Sequence, residues 1–228
     1  MNQFKTLPLT CPCCAKVFDS FQLRHPLKSD IQYTDFFQAF HGAQPLNYSI
    51  HTCPHCGFSG QEKEFKQKDL NEDLKKKIKA KLMPLMSQHN VFSGQQYEYA
   101  AMIAQWSGDA ELRIAKLHLK AAWCYRNARG REGEKKCLKN AITSYTQAYN
   151  NKEIPDSDKS QYMYLIGELH RRIGELAKAA DWFEKAKDYA LSEKDHKWVA
   201  ELALQQKTDP KDYIQREKPY MERLLSDF

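Results

Sequence analysis

Apolar residues recur at every fourth position from Leu70 through Leu74 and Ile78 to Leu82, which places all four on one helix face. Asp69 with Glu72 three residues on predicts a capping box, and Pro84 predicts a kink or an end. Ser93 with Gln96 predicts a second helix start, followed by Tyr97, Ala100, Ala101 and Ala104. Ser107-Gly108-Asp109 predicts a break, and residues 110–127 a long helix carrying Leu112, Ala115, Leu119, Ala122 and Cys124. Gly130 and Gly133 predict an interruption before a helix over 135–149. Pro155-Asp156-Ser157-Asp158 reads as linker and cap. Helices are predicted over 159–173 and 176–191, split by Gly174, then over 195–206, with a last one after Asp209-Pro210. The first 60 residues have another texture, aromatic, Pro-containing and irregular. There Lys16-Val17-Phe18 and Tyr48-Ser49-Ile50-His51 predict short strands, and the stretch from Tyr33 to Phe40 a short helical turn or a loop.

An internal repeat runs through the helical part. Ala141, Tyr145 and Ala148 recur as Ala179, Phe183 and Ala186, each at the same offset. Small residues let two helices approach closely while an aromatic ring fills the space between hairpins. Gly167 and Gly174 precede the second set at the spacing of the tetratricopeptide signature. If Ala122 matches Gly167, the upstream repeat carries an insertion around Arg129–Lys135. The competing reading is an ordinary helical bundle with coincidental alanines. The expected fold is therefore mainly α, a tetratricopeptide-like array of helical hairpins with a small N-terminal zinc-ribbon-like β module. Its expected divisions are 1–62 for that module, 63–92 for an amphipathic connecting helix and 93–228 for the helical domain.

Composition narrows the class. Hydrophobic residues make up 42% and charged residues 28% of the 228, so most of the chain should fold. No apolar run approaches a membrane span, and the N-terminus lacks the pattern of a secretory signal, so a cytoplasmic protein is expected. The formal charge is +6, yet residues 1–60 carry four cations against three carboxylates. The excess sits further on, notably in the run from Lys75 to Lys81. That run is most simply a solvated helix face, with phosphate contact as its alternative.

The cysteines carry the strongest chemistry. Cys11-Pro12-Cys13-Cys14 and Cys53-Pro54-His55-Cys56-Gly57 each contain C-P-x-C. Two such knuckles supply four thiolates, enough to close a tetrahedral Zn²⁺ site at Cys11, Cys14, Cys53 and Cys56. Gly57 suits the left-handed turn after the second knuckle, and Ala15 at the equivalent place suits it less. A redox C-x-x-C would need a βαβ setting that is missing here. One structural zinc is expected, with no position left open for catalysis. Cys13, between two ligands, should point away, as a spectator or as a reactive thiol. His51 or His55 is the alternative should one of the four cysteines not ligate, and Cys124 and Cys137 are expected as buried apolar fillers.

Taken together, C-P-x-C-x3-F at Cys11–Phe18, Pro45-Leu-x-Tyr48, HTCPHCGFSG at His51–Gly60 and A-W-C-Y-R at Ala122–Arg126 resemble the bacterial and archaeal family catalogued as domain of unknown function 2225. The resemblance implies a zinc-ribbon-like head joined to tetratricopeptide-like helices. It implies no reaction.

No Walker loop, G-x-S-x-G or HExxH occurs, and no enzymatic activity is expected. The expected function is a zinc-stabilised scaffold or adaptor for a protein or peptide partner. Its groove would be lined by Tyr164, Glu168 and Arg171 on the first helix of a hairpin. The alternatives are a nucleic-acid-binding regulator using the zinc module and Lys75–Lys81, and a thiol or zinc redox sensor using Cys13. No membrane partner is expected.

Overall fold

The computed structural model describes residues 3–25, 29–67, 69–86, 91–192 and 196–214. The chain opens on a ribbon, β1 (Phe4–Thr10) antiparallel to β2 (Val17–Leu23), with Thr10 opposite Val17 across the first cysteine knuckle. Leu9 and Phe18 face inward, while Phe4, Thr6 and Phe21 share the outward face. Pro8 hid β1 from the sequence reading. It is tolerated because a two-stranded ribbon is all edge, and a missing N–H there breaks no inner ladder. Two smaller ladders follow, β3 (Ser29–Gln32) with β4 (Gln38–Phe40), and β5 (His51–Thr52) with β6 (Ser59–Gly60). The stretch from Tyr33 to Phe40 is thus largely a hairpin, and Tyr48 ends a 3₁₀ turn at Pro45–Tyr48 instead of starting a strand.

Helices dominate the rest. After α1 (Glu62–Gln67), helix α2 (Glu72–Lys81) carries the predicted face, with Leu70, Leu74, Ile78 and Leu82 all buried. Its cap is Asn71, whose Oδ1 accepts the Leu74 N–H at 2.8 Å, so Asp69 lies outside the helix. Pro84 falls in the one-turn α3 (Met83–Met86), which ends the run. Helix α4 (Ser93–Ser107) starts at the residue expected to cap it, so its cap lies one residue earlier. Phe92 is the N-cap, and Gln95 Oε1 accepts its N–H at 3.0 Å. Gly108, at φ +72°, ends it where the sequence predicts.

Helix α5 (Glu111–Asn127) and α6 (Arg131–Asn150) are separated by three residues only. Gly133 lies inside α6, where a Cβ would come within 2.4 Å of the Tyr125 ring. It is a seat for that ring and not a break. The seven-residue surplus of the upstream repeat is therefore helix, about two extra turns at the start of α6. Then come α7 (Lys159–Arg172), α8 (Leu176–Ser192) and α9 (Lys197–Thr208), with Gly174 at φ +88° between the first two. Lys211–Ile214 is not helical. Tyr213 forms a β-bridge with Tyr33, and the remainder of the predicted last helix lies outside the described residues. The chain is mainly α with small two-stranded ladders, and no described helix is long and apolar enough to cross a membrane.

The chain forms two compact units. One comprises Met1–Lys28, Gly42–Asp109 and Leu117–Cys137, and the other Ser29–His41, Ala110–Lys116 and Leu138–Phe228. Residues 29–41, which the sequence division at 62 places with the cysteine module, thus group with the C-terminal helices. In the first unit Leu9, Phe18, Phe58, Phe65, Leu74, Ile78, Leu82 and Ile103 share one core with the cysteines. In the second, the repeat residues Ala141, Tyr145, Ala148, Ala179, Phe183 and Ala186 are all buried. Gly167 is there required small, since a Cβ would meet the Phe183 ring at 2.9 Å.

Candidate metal centre

The two knuckles are built alike. In the first, the Cys11 N–H donates to the Lys16 carbonyl at 3.0 Å and the Ala15 N–H to the Cys11 carbonyl at 2.8 Å. In the second, the Cys53 N–H donates to Phe58 at 2.8 Å and the Gly57 N–H to Cys53 at 2.9 Å. Each turn closes through a left-handed residue, Ala15 at φ +59° and Gly57 at φ +80°. Gly57 has a second reason to lack a side chain, because a Cβ would stand 2.6 Å from the Leu82 Cβ. The second knuckle thereby sits directly on the end of α2.

These turns bring the sulfurs of Cys11, Cys14, Cys53 and Cys56 within 4.8 Å of one another. Cys11 lies 3.6 Å from Cys56, and Cys14 3.6 Å from Cys53. A tetrahedron with about 2.3 Å metal–sulfur bonds has edges of about 3.8 Å, so the four thiols fit a single ion. All four are free of disulfide. Crowding divides their acidity. Hydrogen bonds from Cys11 and Cys56 hold Cys53 down at about 2, whereas Cys11 is pushed up to about 12, chiefly by Cys53. Four thiolates at this spacing would repel one another without a cation, so all four lose their protons together only when an ion sits among them. The donor set, soft and complete, suits a thiophilic metal in a closed structural site.

The remaining sequence candidates are placed individually. Cys13 belongs to no ligand set, as expected, but it does not point into solvent. It is buried in the shared core with its Sγ 3.8 Å from the Lys75 carbonyl, because α2 covers the tip of the first knuckle. His55 is exposed and outside the cluster. His51 is buried, and its Nδ1 pairs with the Ser20 hydroxyl at 2.8 Å. Burial holds its pKa down, so it is neutral at pH 7. Cys124 and Cys137 are buried fillers, with Cys137 Sγ 3.1 Å from Glu98 Oε1. In the lysine run, Lys75 pairs with Glu72, Lys76 with Asp73, and Lys77 lies 5.1 Å from the Trp106 ring centre.

The expected groove residues are corrected. Tyr164 and Glu168 are 0% exposed, and only Arg171 keeps an edge to solvent. The chain itself covers them. Thr34 Oγ1 donates to Glu168 Oε1 at 2.7 Å, and the Tyr164 hydroxyl donates to the Thr34 carbonyl at 3.0 Å. Phe36, held at φ +70°, packs on Tyr164 and Trp198. Arg171 and Gln206 satisfy the other Glu168 oxygen at 2.8 and 3.0 Å. A buried carboxylate needs such partners, and a sequence that places them 134 residues apart gives no local signal of it.

The profile of a family described as "Uncharacterized protein conserved in bacteria (DUF2225)" matches residues 6–209. No curated protein and no solved structure matches the chain.

Proposed function

The chain belongs to the uncharacterised bacterial family DUF2225, and from that premise we propose that it is a non-enzymatic protein-interaction scaffold whose cysteine unit is held by one structural Zn²⁺. The four-sulfur cluster carries the reading. Cys11, Cys14, Cys53 and Cys56 would occupy every position of a tetrahedral ion and leave none for substrate or water. Their sulfurs also share the core that seats α2 and α4, which suits an ion that stabilises rather than reacts. The helical hairpins, with their buried Ala-aromatic-Ala repeat, support a tetratricopeptide-like array, an architecture that offers extended surfaces to partners. Because Tyr164 and Glu168 are covered by residues 34–36, the partner surface is not the one these two residues would line. The test is metal analysis of natively produced full-length protein, with co-purifying proteins identified from the same sample. One zinc per chain and a partner set that disappears on chelation are expected. Metal-free protein that melts as sharply as the native sample, or partners indifferent to chelation, would sink the proposal.

A further inference from the structure

The outward face of the β1–β2 ribbon carries apolar rings that the core does not use. Phe21 is 57% exposed, and Phe4 lies beside Tyr48 with ring centres 4.9 Å apart. These three rings line a recess of about 300 Å³. Tyr48 also lines a second, larger cavity of about 710 Å³, which is open to solvent and contains Arg24, Lys63 and Lys66. Among the described residues that line it, the one carboxylate is Glu62, already paired with Lys66 at 2.5 Å. Arg24 uses one donor on the Phe4 carbonyl at 3.0 Å, which fixes its base next to the rings. Three cations against one carboxylate leave the cavity positive although the head as a whole is near neutral.

Flat apolar rings beside a cationic cavity match one chemistry, a planar base joined to a phosphate. Proteins that hold single strands combine stacking rings with a positive groove in this way. Two recesses that share Tyr48, the larger one open, suit a strand crossing the surface better than an enclosed small molecule. We propose that the ribbon face around Phe21, Tyr48, Arg24 and Lys63 is a binding site for single-stranded nucleic acid. It is distinct from the Lys75–Lys81 run, whose first three lysines are engaged by Glu72, Asp73 and Trp106. It does not depend on the scaffold reading.

The test is fluorescence anisotropy of the full-length, metal-loaded protein with a labelled oligothymidylate of about twelve nucleotides, at about 20 mM salt and upward. Binding with a log–log salt slope of about −1.4 is expected for the two cations, Arg24 and Lys63, that are not already paired. Phe21→Ala and Lys63→Glu, both at exposed positions, should each weaken it about fivefold or more, with metal content and melting temperature unchanged. Lys76→Glu on α2 should leave it within about twofold. A duplex of the same length should bind more weakly, because its bases offer no free faces. No binding at about 100 µM protein, equal affinity for duplex, or binding lost with Lys76→Glu but not with Phe21→Ala and Lys63→Glu would each overturn the proposal. So would displacement of the strand by polyglutamate with Phe21→Ala silent, which would make this an acidic-peptide site.

Discussion

Ala15 and Gly57 do the same job in the two knuckles at different cost. A side chain in the left-handed region costs roughly 1 kcal/mol relative to glycine, so Ala15 at φ +59° stores strain that Gly57 avoids. Ala15→Gly should therefore stabilise the protein by about 1 kcal/mol, read as a higher denaturation midpoint at equal metal content. Gly57→Ala meets both the strained φ and the Leu82 Cβ, and should destabilise by about 2–3 kcal/mol. A Gly57→Ala variant as stable as the parent would show that the second knuckle is not seated on α2 as described. His118 on α5 gives a pH dependence of known sign. Burial, with Lys136 acting the same way, holds its pKa down at about 4 against Glu98, which raises it. The unfolded chain takes up that proton near pH 6.5, the folded chain only near 4. Stability contributed by neutral His118 is thus present above about pH 6.5 and falls away toward pH 4, by about 2 kcal/mol at pH 4.5. In His118→Gln, the difference in stability between pH 7 and 4.5 should shrink by that amount in urea titrations. An unchanged slope would count against the burial.

At the scale of elements, the segment 33–37 is held to α7 by the hydrogen bonds of Thr34, the Arg172–Asp35 ion pair at 3.5 Å and the Phe36 ring rather than by a ladder. Glu168, with 0% exposure, faces Arg171, Thr34 and Gln206. Removing one member of a buried charge set leaves the others uncompensated, so Glu168→Ala should cost about 3–5 kcal/mol. Phe36→Ala removes a ring between Tyr164 and Trp198 and should cost about 3–5 kcal/mol as well. Both are measured by chemical denaturation, and a cost below about 1 kcal/mol in both would mean that the segment is not docked. Helix positions were largely legible, because the faces at Leu70–Leu82 and the Ala-aromatic-Ala sets follow the helical period. The starts were less so. Asn71 and Phe92 cap where Asp69 and Ser93 were expected, since a capping pattern shifted by one or two residues still fits the same sequence. Gly133 was misread for a related reason: a glycine that ends a helix and one that seats a neighbour's ring look identical in sequence.

Across the whole molecule, the metal is predicted to decide whether the first unit has a core. Cys11, Cys53 and Cys56 are packed among Leu74, Ile78 and Leu82, so losing the ion would leave up to four repelling or protonated sulfurs in the interior. Binding energies of about 10–16 kcal/mol for such sites exceed what a core this size retains. Chelation should abolish the near-ultraviolet circular dichroism of Trp106 and Tyr99. It should also open five thiols, Cys11, Cys13, Cys14, Cys53 and Cys56, to a colorimetric reagent that reacts slowly with the loaded protein. Five equally reactive thiols before and after chelation would refute the site.

The sequence alone picked out the four clustered cysteines and the helical character, because both are written in short-range spacing: two residues between the cysteines of each knuckle, three between successive apolar positions. It did not settle what covers Tyr164 and Glu168, where Cys13 goes, or that the outer ribbon face gathers rings beside cations. Those depend on residues far apart in the chain meeting in space, Thr34 with Glu168 and Phe21 with Tyr48. Only the folded backbone fixes such meetings, since spacing constrains neighbours within a turn or a strand pair and says nothing beyond them.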